Sequence, residues 1–250
     1  MTKLENQPLT CYNLTMSFFI SLGIIILAML IMSCLQLQSG IFALLYHYTS
    51  GKYSKKRASD LTLFFILGVE TAAACLFLFS FYASNLLFLF QLHPETSFVA
   101  WIIIGVLIAL SLTSLFCYFR PEAGTKLFIS RKHAKLLDYQ ARQTKSRSNS
   151  FILGILTGIH ELPFTLPLYI ITSIEIAELS INPFLKNIFT ILYILAPTIP
   201  LFIIRWKFQI GQNLADIQKS RSKNKTFVRT ILCSCYIVIA ILFICFRILT

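Results

Sequence analysis

The sequence predicts an all-α integral membrane protein with six transmembrane helices, and three observations carry that expectation. Six apolar stretches, at 16–46, 61–82, 98–119, 150–173, 184–204 and 227–249, are each long enough to cross a bilayer. A helix needs about 20 apolar residues to span ~30 Å of hydrocarbon. Hydrophobic residues make up 56% of the 250 and charged residues 13%, so 1–250 reads as a single transmembrane domain without a separate soluble one. The basic residues also alternate from loop to loop. Lys and Arg number 4 in the first loop, none in the second, 8 in the third and 7 in and beside the fifth; only Lys3, Lys186 and Arg247 lie elsewhere. Basic loops stay on the cytoplasmic side. The odd loops therefore face inward and both termini face outward.

The first stretch follows an N-terminus in which Lys3 stands against Glu5, and its apolar run is far longer than a signal-peptide core. With no small-residue cleavage site after it, the stretch is expected to be retained as a span. Its second half is weakened by Gln36, Gln38, Ser39 and Gly40. The second stretch carries one acidic residue, Glu70. Between the third and fourth, Leu127, Phe128, Ile129, Leu136, Leu137 and Tyr139 mix with basic residues, a pattern for an amphipathic helix on the membrane surface or for a solvated connector. The fifth loop offers Ile210, Leu214 and Ile217 at helical spacing, with the same two readings.

A net charge of +12 invites a nucleic-acid reading, but its position assigns it to topology and to attraction of anionic lipid at the cytoplasmic face. No stacking aromatics or recognition motif accompany it, so no nucleic-acid partner is expected. Seven cysteines are scattered, six of them within apolar stretches, and Cys233 and Cys235 point to different helix faces; they read as small packing residues. No second His or Cys stands at ligand spacing from His160, so no metal or cofactor is expected. Nucleophile elbows, paired acids and glycine-rich phosphate loops are absent from the sequence, which argues against an enzyme.

Three spans, a basic loop at 121–149 and three more spans suggest a 3+3 inverted repeat with halves 16–120 and 150–249. A shift of 123 residues places Gln38 beside Glu161 and Tyr46 beside Tyr169, and a shift of 127 aligns Phe116–Arg120 with Phe243–Arg247.

Charge within a bilayer is costly, about 2.5–3.5 kcal/mol at a helix centre, so intramembrane acids mark candidate sites. Counted from the cytoplasmic ends, Glu70 lies about 14 Å deep, Glu161 about 16 Å and Gln38 about 15 Å, at 1.5 Å per residue. Glu161 stands in Gly158-Ile159-His160-Glu161-Leu162-Pro163-Phe164-Thr165-Leu166-Pro167. Pro163 and Pro167 each remove a backbone donor and crowd the carbonyl four residues back, so two breaks one turn apart are expected there. Pro197 and Pro200 repeat the device in the fifth stretch. Broken helices beside a carboxylate form cation sites in transporters. The candidate substrate- or ion-binding set is Glu161, Glu70, Gln38 and Thr165, with opened carbonyls near Pro163. Against it stands a structural reading, in which the prolines shape a bundle and the carboxylates are satisfied by neighbouring helices.

This segment resembles the proline-cysteine-threonine helix of the CcdA branch of the lysine-exporter (LysE) superfamily, which also includes the DsbD membrane domain. The resemblance implies six spans in two inverted halves, with a broken helix beginning each half. The redox members carry a cysteine after the first proline. Here Phe164 stands in that place, and Gly40-Ile41-Phe42 in the first half has no thiol. The resemblance therefore implies the transport scaffold without the dithiol relay. The sequence reads as a transporter of a small solute or cation, rocking two halves about a midplane site in a bacterial plasma membrane. A thiol-disulfide electron transporter and a non-transporting membrane partner protein are the alternatives.

Topology gives the first test. Single cysteines introduced at Ser97 and Asn182 should react with an impermeant label in intact cells, whereas those at Lys145 and Ser222 should need lysis. The reverse pattern would overturn the orientation.

Overall fold

The structure, a computed structural model, describes residues 7–35, 37–89, 98–116, 131–179, 181–211, 216–217, 219 and 223–247, and within these every element is helical. In chain order they are α1 (Gln7–Cys34), α2 (Leu37–Lys52), α3 (Lys55–Leu89), α4 (Phe98–Phe116), α5 (Arg131–Gln143), α6 (Arg147–His160), α7 (Leu162–Glu178) and α8 (Pro183–Leu195). A 3₁₀ turn (Ala196–Thr198), α9 (Ile199–Gln209) and α10 (Lys225–Arg247) complete the chain.

Four runs are long and apolar enough to cross a membrane: Phe18–Lys52, Lys56–Ser84, Pro183–Gln209 and Thr226–Cys245. The pair α6 and α7 makes a fifth if it is counted as one span bent by 76°. The apolar part of α4, Trp101–Phe116, is shorter, and residues 117–119 of the expected third span lie outside the described residues. Large apolar side chains cover the outside of the bundle, among them Phe19, Phe79, Trp101, Phe184, Phe202 and Trp206. So large an exposed apolar surface suits lipid rather than water.

Two hydrophobic clusters form the interior. One joins Ile24–Leu35 of α1, Ala73 and Phe77 of α3, α4, α7, α8 and α10. The other joins Leu37–Leu45 of α2, Phe65–Val69 of α3, Leu137 and Ala141 of α5, Leu153 of α6, and Leu201–Phe208 of α9. The chain passes between the clusters at 35–37, 69–73, 153–164 and 196–201, so the gaps between α1 and α2, α6 and α7, and α8 and α9 all fall on one seam.

The tightest helix contact joins α3 to α6. A Cβ at Gly68 would run into the Phe151 carbonyl oxygen, and one at Gly154 into the Phe65 carbonyl oxygen. One turn before Gly154, the Ser150 hydroxyl donates to the Leu61 carbonyl at 2.5 Å; one turn after it, a Cβ on Gly158 would lie 3.0 Å from that of Ala72. Small residues every fourth position thus let two backbones touch, a packing device of membrane helices.

The amphipathic segment of the third loop forms α5, but its apolar stripe packs on protein rather than lipid. Leu137 and Ala141 are buried in the cluster that holds Ile41, Phe42 and Leu45. Polar ties at the rim hold it there: Tyr48 donates to Asp138 at 3.1 Å and Lys52 to the Arg142 carbonyl at 3.3 Å. Leu136 and Tyr139 are exposed, while Leu127, Phe128 and Ile129 lie outside the described residues. In the fifth loop Ile217 is buried and Ile210 exposed, and Leu214 lies outside the described residues.

The α3–α6 contact sets a sign. Ala for Gly normally gains up to about 1 kcal/mol in a helix, but overpacking against backbone costs about 1–3 kcal/mol. Gly68→Ala and Gly154→Ala should each lower the melting temperature of the detergent-purified protein. Gly51→Ala, where nothing lies within 4 Å of the added carbon, should leave it unchanged or raise it. Equal melting for all three variants would refute the close approach.

Candidate functional site

The break in the fourth span follows from its local sequence. Helix α6 closes tightly, with the Glu161 amide donating to the Gly158 carbonyl at 3.2 Å, and His160 Nδ1 lies 2.6 Å from the Leu156 carbonyl. Pro163 then falls in the first turn of α7, where a helix has no use for that N–H. Its ring would collide with the Ile159 carbonyl in an unbroken helix. The chain turns by 76°, and the Glu161 carbonyl starts α7 by accepting from Phe164 at 3.0 Å and Thr165 at 3.1 Å.

The expected second break at Pro167 does not occur, because α7 continues through that residue. The carbonyl that Pro167 crowds belongs to Pro163, in a terminal turn that is free to tilt. In the fifth span Pro197 lies in the 3₁₀ turn and Pro200 in the first turn of α9. The first span is interrupted between Cys34 and Leu37, beside the predicted weak points; Gln36 lies outside the described residues.

These interruptions satisfy one another. Glu161 Oε1 accepts the main-chain N–H groups of Leu37 at 2.9 Å and Gln38 at 3.3 Å. A carboxylate thus caps the N-terminus of α2, where unbonded amides and the helix dipole both favour negative charge. At the end of α1, the Ser33 hydroxyl donates to the Ala196 carbonyl of the 3₁₀ turn at 2.9 Å. Tyr236 of α10 donates to the Phe164 carbonyl at 3.1 Å. Of the carbonyls around Pro163, those of Glu161 and Phe164 are thus occupied.

Glu161 and Gln38 meet, through the main chain of Gln38 rather than its buried side chain. Thr165 lies one turn beyond Glu161, buried, with its hydroxyl bonded to no described group. Glu70, on the unbroken α3, is half-buried beside Thr198 of the 3₁₀ turn, with Oε2 lacking a hydrogen bond among the described residues. Glu70 and Glu161 both lie within electrostatic reach of Tyr169, whose ring stands edge-on to Tyr193 at 5.8 Å.

A third acid escaped the sequence reading. Glu175 is fully buried and its Oε2 accepts the Ser21 hydroxyl of α1 at 2.6 Å. The fourth span had been drawn to end at 173, whereas α7 runs on to Glu178. A signal was present: Glu175 is flanked by Ile174 and Ile176 and stands 14 residues, close to four turns, beyond Glu161.

Among the described residues no three His, Cys, Asp or Glu side chains come together as a metal site. Cys34, Cys75, Cys233, Cys235 and Cys245 are free thiols; Cys34 and Cys235 are neighbours, and Cys233 Sγ lies 3.1 Å from the Ser111 hydroxyl. The side chains of Cys11 and Cys117 lie outside the described residues. Comparison with protein-family models, curated proteins and solved structures gives no match.

The cap on α2 separates two substitutions. Glu161→Gln keeps an oxygen acceptor over the Leu37 and Gln38 amides, whereas Glu161→Leu removes it, at about 1–2 kcal/mol for a lost cap. The Leu variant should melt clearly below wild type and the Gln variant close to it. Equal melting of Leu and Gln variants would show that the carboxylate does not hold α2.

Proposed function

We propose that the protein is a membrane transporter for a small solute or cation, built from six spans in two inverted halves as the lysine-exporter resemblance implies. The observation that carries this reading is the meeting of three interrupted helices at one level of the bundle, beside the buried Glu161 and the half-buried Glu70. Irregular backbone within a bilayer is tolerated where it lines a cavity or is enclosed in protein, and such breaks are where transporters place ions and substrates. Glu161 and Glu70 bind or exchange the cation, with Thr165 and the first turn of α2 at Gln38 completing the shell. Pro163, Pro197 and Pro200 set the breaks, and Pro167 loosens the start of α7.

The order of contacts agrees with an inverted pairing. α4 lies against α10, the third span of each proposed half, and α3 packs on α6 and α7 as the 3₁₀ turn and α9 pack on α1 and α2. We place the protein in a bacterial plasma membrane with its termini outside. Its basic cytoplasmic rim, where Arg57, Lys145 and Arg147 share one cleft with Asp60, would face anionic lipid.

A second reading, a non-transporting membrane partner, draws on the cap itself: Glu161 already has a structural task at α2. The redox alternative has less support, since Phe164 stands where the relay cysteine would be. Charge-transfer currents from purified protein on a solid-supported membrane, challenged in turn with Na⁺, K⁺ and cationic amino acids, distinguish these readings. At least one challenge should give a current, at least tenfold smaller in Glu70→Gln and in Glu161→Gln although both variants keep their melting temperature. Currents of wild-type size in both variants would remove the acids from the site, and silence of the wild type to every challenge would favour the partner reading.

A further inference from the structure

Helix α7 carries a polar stripe that packing does not explain. Glu161, Thr165, Tyr169, Thr172, Glu175 and Glu178 follow one another at spacings of four, four, three, three and three, which places them on one face. The first five are at most 3% exposed, and Glu178 is half-buried at the end of the helix. From Glu161 to Glu175 the stripe rises about 21 Å at 1.5 Å per residue. Beside it, α3 packs on α7 and bears Ser80 and Glu70, the latter within electrostatic reach of Tyr169, while Ser84 joins Ser173, next to the stripe, at 2.9 Å. Tyr193 of α8 adds a hydroxyl next to Thr172.

Two threonines of the stripe behave unlike others in the bundle. Thr49, Thr62, Thr113 and Thr157 each donate to the carbonyl four residues back, the usual way in which a helical threonine hides its polarity. Thr165 and Thr172 do not: Thr172 turns to the Tyr193 hydroxyl of α8, and the Thr165 and Ser80 hydroxyls and Glu70 Oε2 are buried with no hydrogen bond to a described group. Three such atoms on α3 and α7 call for a shared mobile partner, and water is the partner that buried polar groups usually find.

We propose that the α3–α7 interface is a hydrated proton path from the outer end of α7 to the breaks, and that the cation exchanged there is a proton. This rests on the transport reading and names its coupling ion. A proton from external water binds a carboxylate at Glu178 or Glu175. It then passes along waters and hydroxyls, each O–H breaking as the next forms, and ends on Glu161 or Glu70; one positive charge moves inward.

The charged and titratable groups facing the path are few. Glu175 meets Ser21 of α1, and Lys186 of α8 lies in the same region, its ammonium 2.7 Å from the Ala177 carbonyl. Glu161 meets the α2 amides and Tyr169, with His160 beside it in the chain, and Glu70 meets Thr198 and Tyr169. Between the ends, Tyr193 and Tyr236 are the titratable neighbours from α8 and α10. Helices α1 and α4 contribute no charged side chain.

Two measurements test the path separately from transport. In a variant with all seven cysteines replaced, Thr165→Cys and Thr172→Cys should react with a small water-borne methanethiosulfonate added outside, and Ile191→Cys, on an exposed apolar surface, should not. In proteoliposomes loaded with pyranine, a K⁺ diffusion potential should drive proton entry, reduced at least fivefold in Glu175→Gln and Thr172→Val but unchanged in Thr62→Val. Unreactive stripe positions together with no proton entry would overturn the path while leaving the Glu70 and Glu161 currents to decide transport. Reactive positions with proton entry indifferent to Glu175→Gln and Thr172→Val would overturn the proton assignment alone.

Discussion

The bond from the Glu161 carboxylate to the first amides of α2 is the contact on which the rest of the interior depends. A helix broken in hydrocarbon exposes amides and carbonyls that water cannot reach, each costing several kcal/mol if left alone. Here each break also receives a polar contact from another helix. Glu161, at the fourth-span break, serves the restart of the first span; Ser33, at the end of α1, serves the turn in the fifth; Tyr236 of α10 serves the start of α7. These contacts tie the breaks of the first, fourth and fifth spans to one another.

That mutual dependence explains the seam between the hydrophobic clusters. The polar contacts gather at one depth, and apolar side chains can fill the bundle continuously only above and below it. Glu70 shows the same rule on a helix that does not break: it falls between Val69, which belongs to one cluster, and Ala73, which belongs to the other. The seam is thus where desolvated charge and irregular backbone coincide, the combination from which the transport reading is drawn.

Much of this was legible in the sequence because proline and charge are unambiguous in an apolar run. Pro163 marked the fourth-span break to within two residues, and the acid beside it, Glu161, does meet the main chain of Gln38. What escaped depended on main-chain geometry or on where a span was taken to end. The contribution of Gln38 is an amide, which every residue but proline has, so its side chain was a misleading signal. Pro167 was expected to act like Pro163, but a helix start absorbs a ring that a helix interior would not. Glu175 was lost because the apolar run seemed to stop at 173, although its spacing from Glu161 already put both acids on one face. Tyr193 and Thr198 come from a different helix, and nothing local in either segment points to Glu70 or Tyr169.

The backbone contact between Gly68 and Gly154 has a mechanical consequence. α3 belongs to the first half of the proposed repeat and α6 to the second, yet their main chains touch with no side chain between them to act as a bearing. Two ridges locked in this way neither slide nor roll past each other without lifting apart. On the transport reading, α3 and α6 would then act as a single chassis, and a change of access would have to come from the segments beyond the breaks rather than from rocking the two halves of sequence.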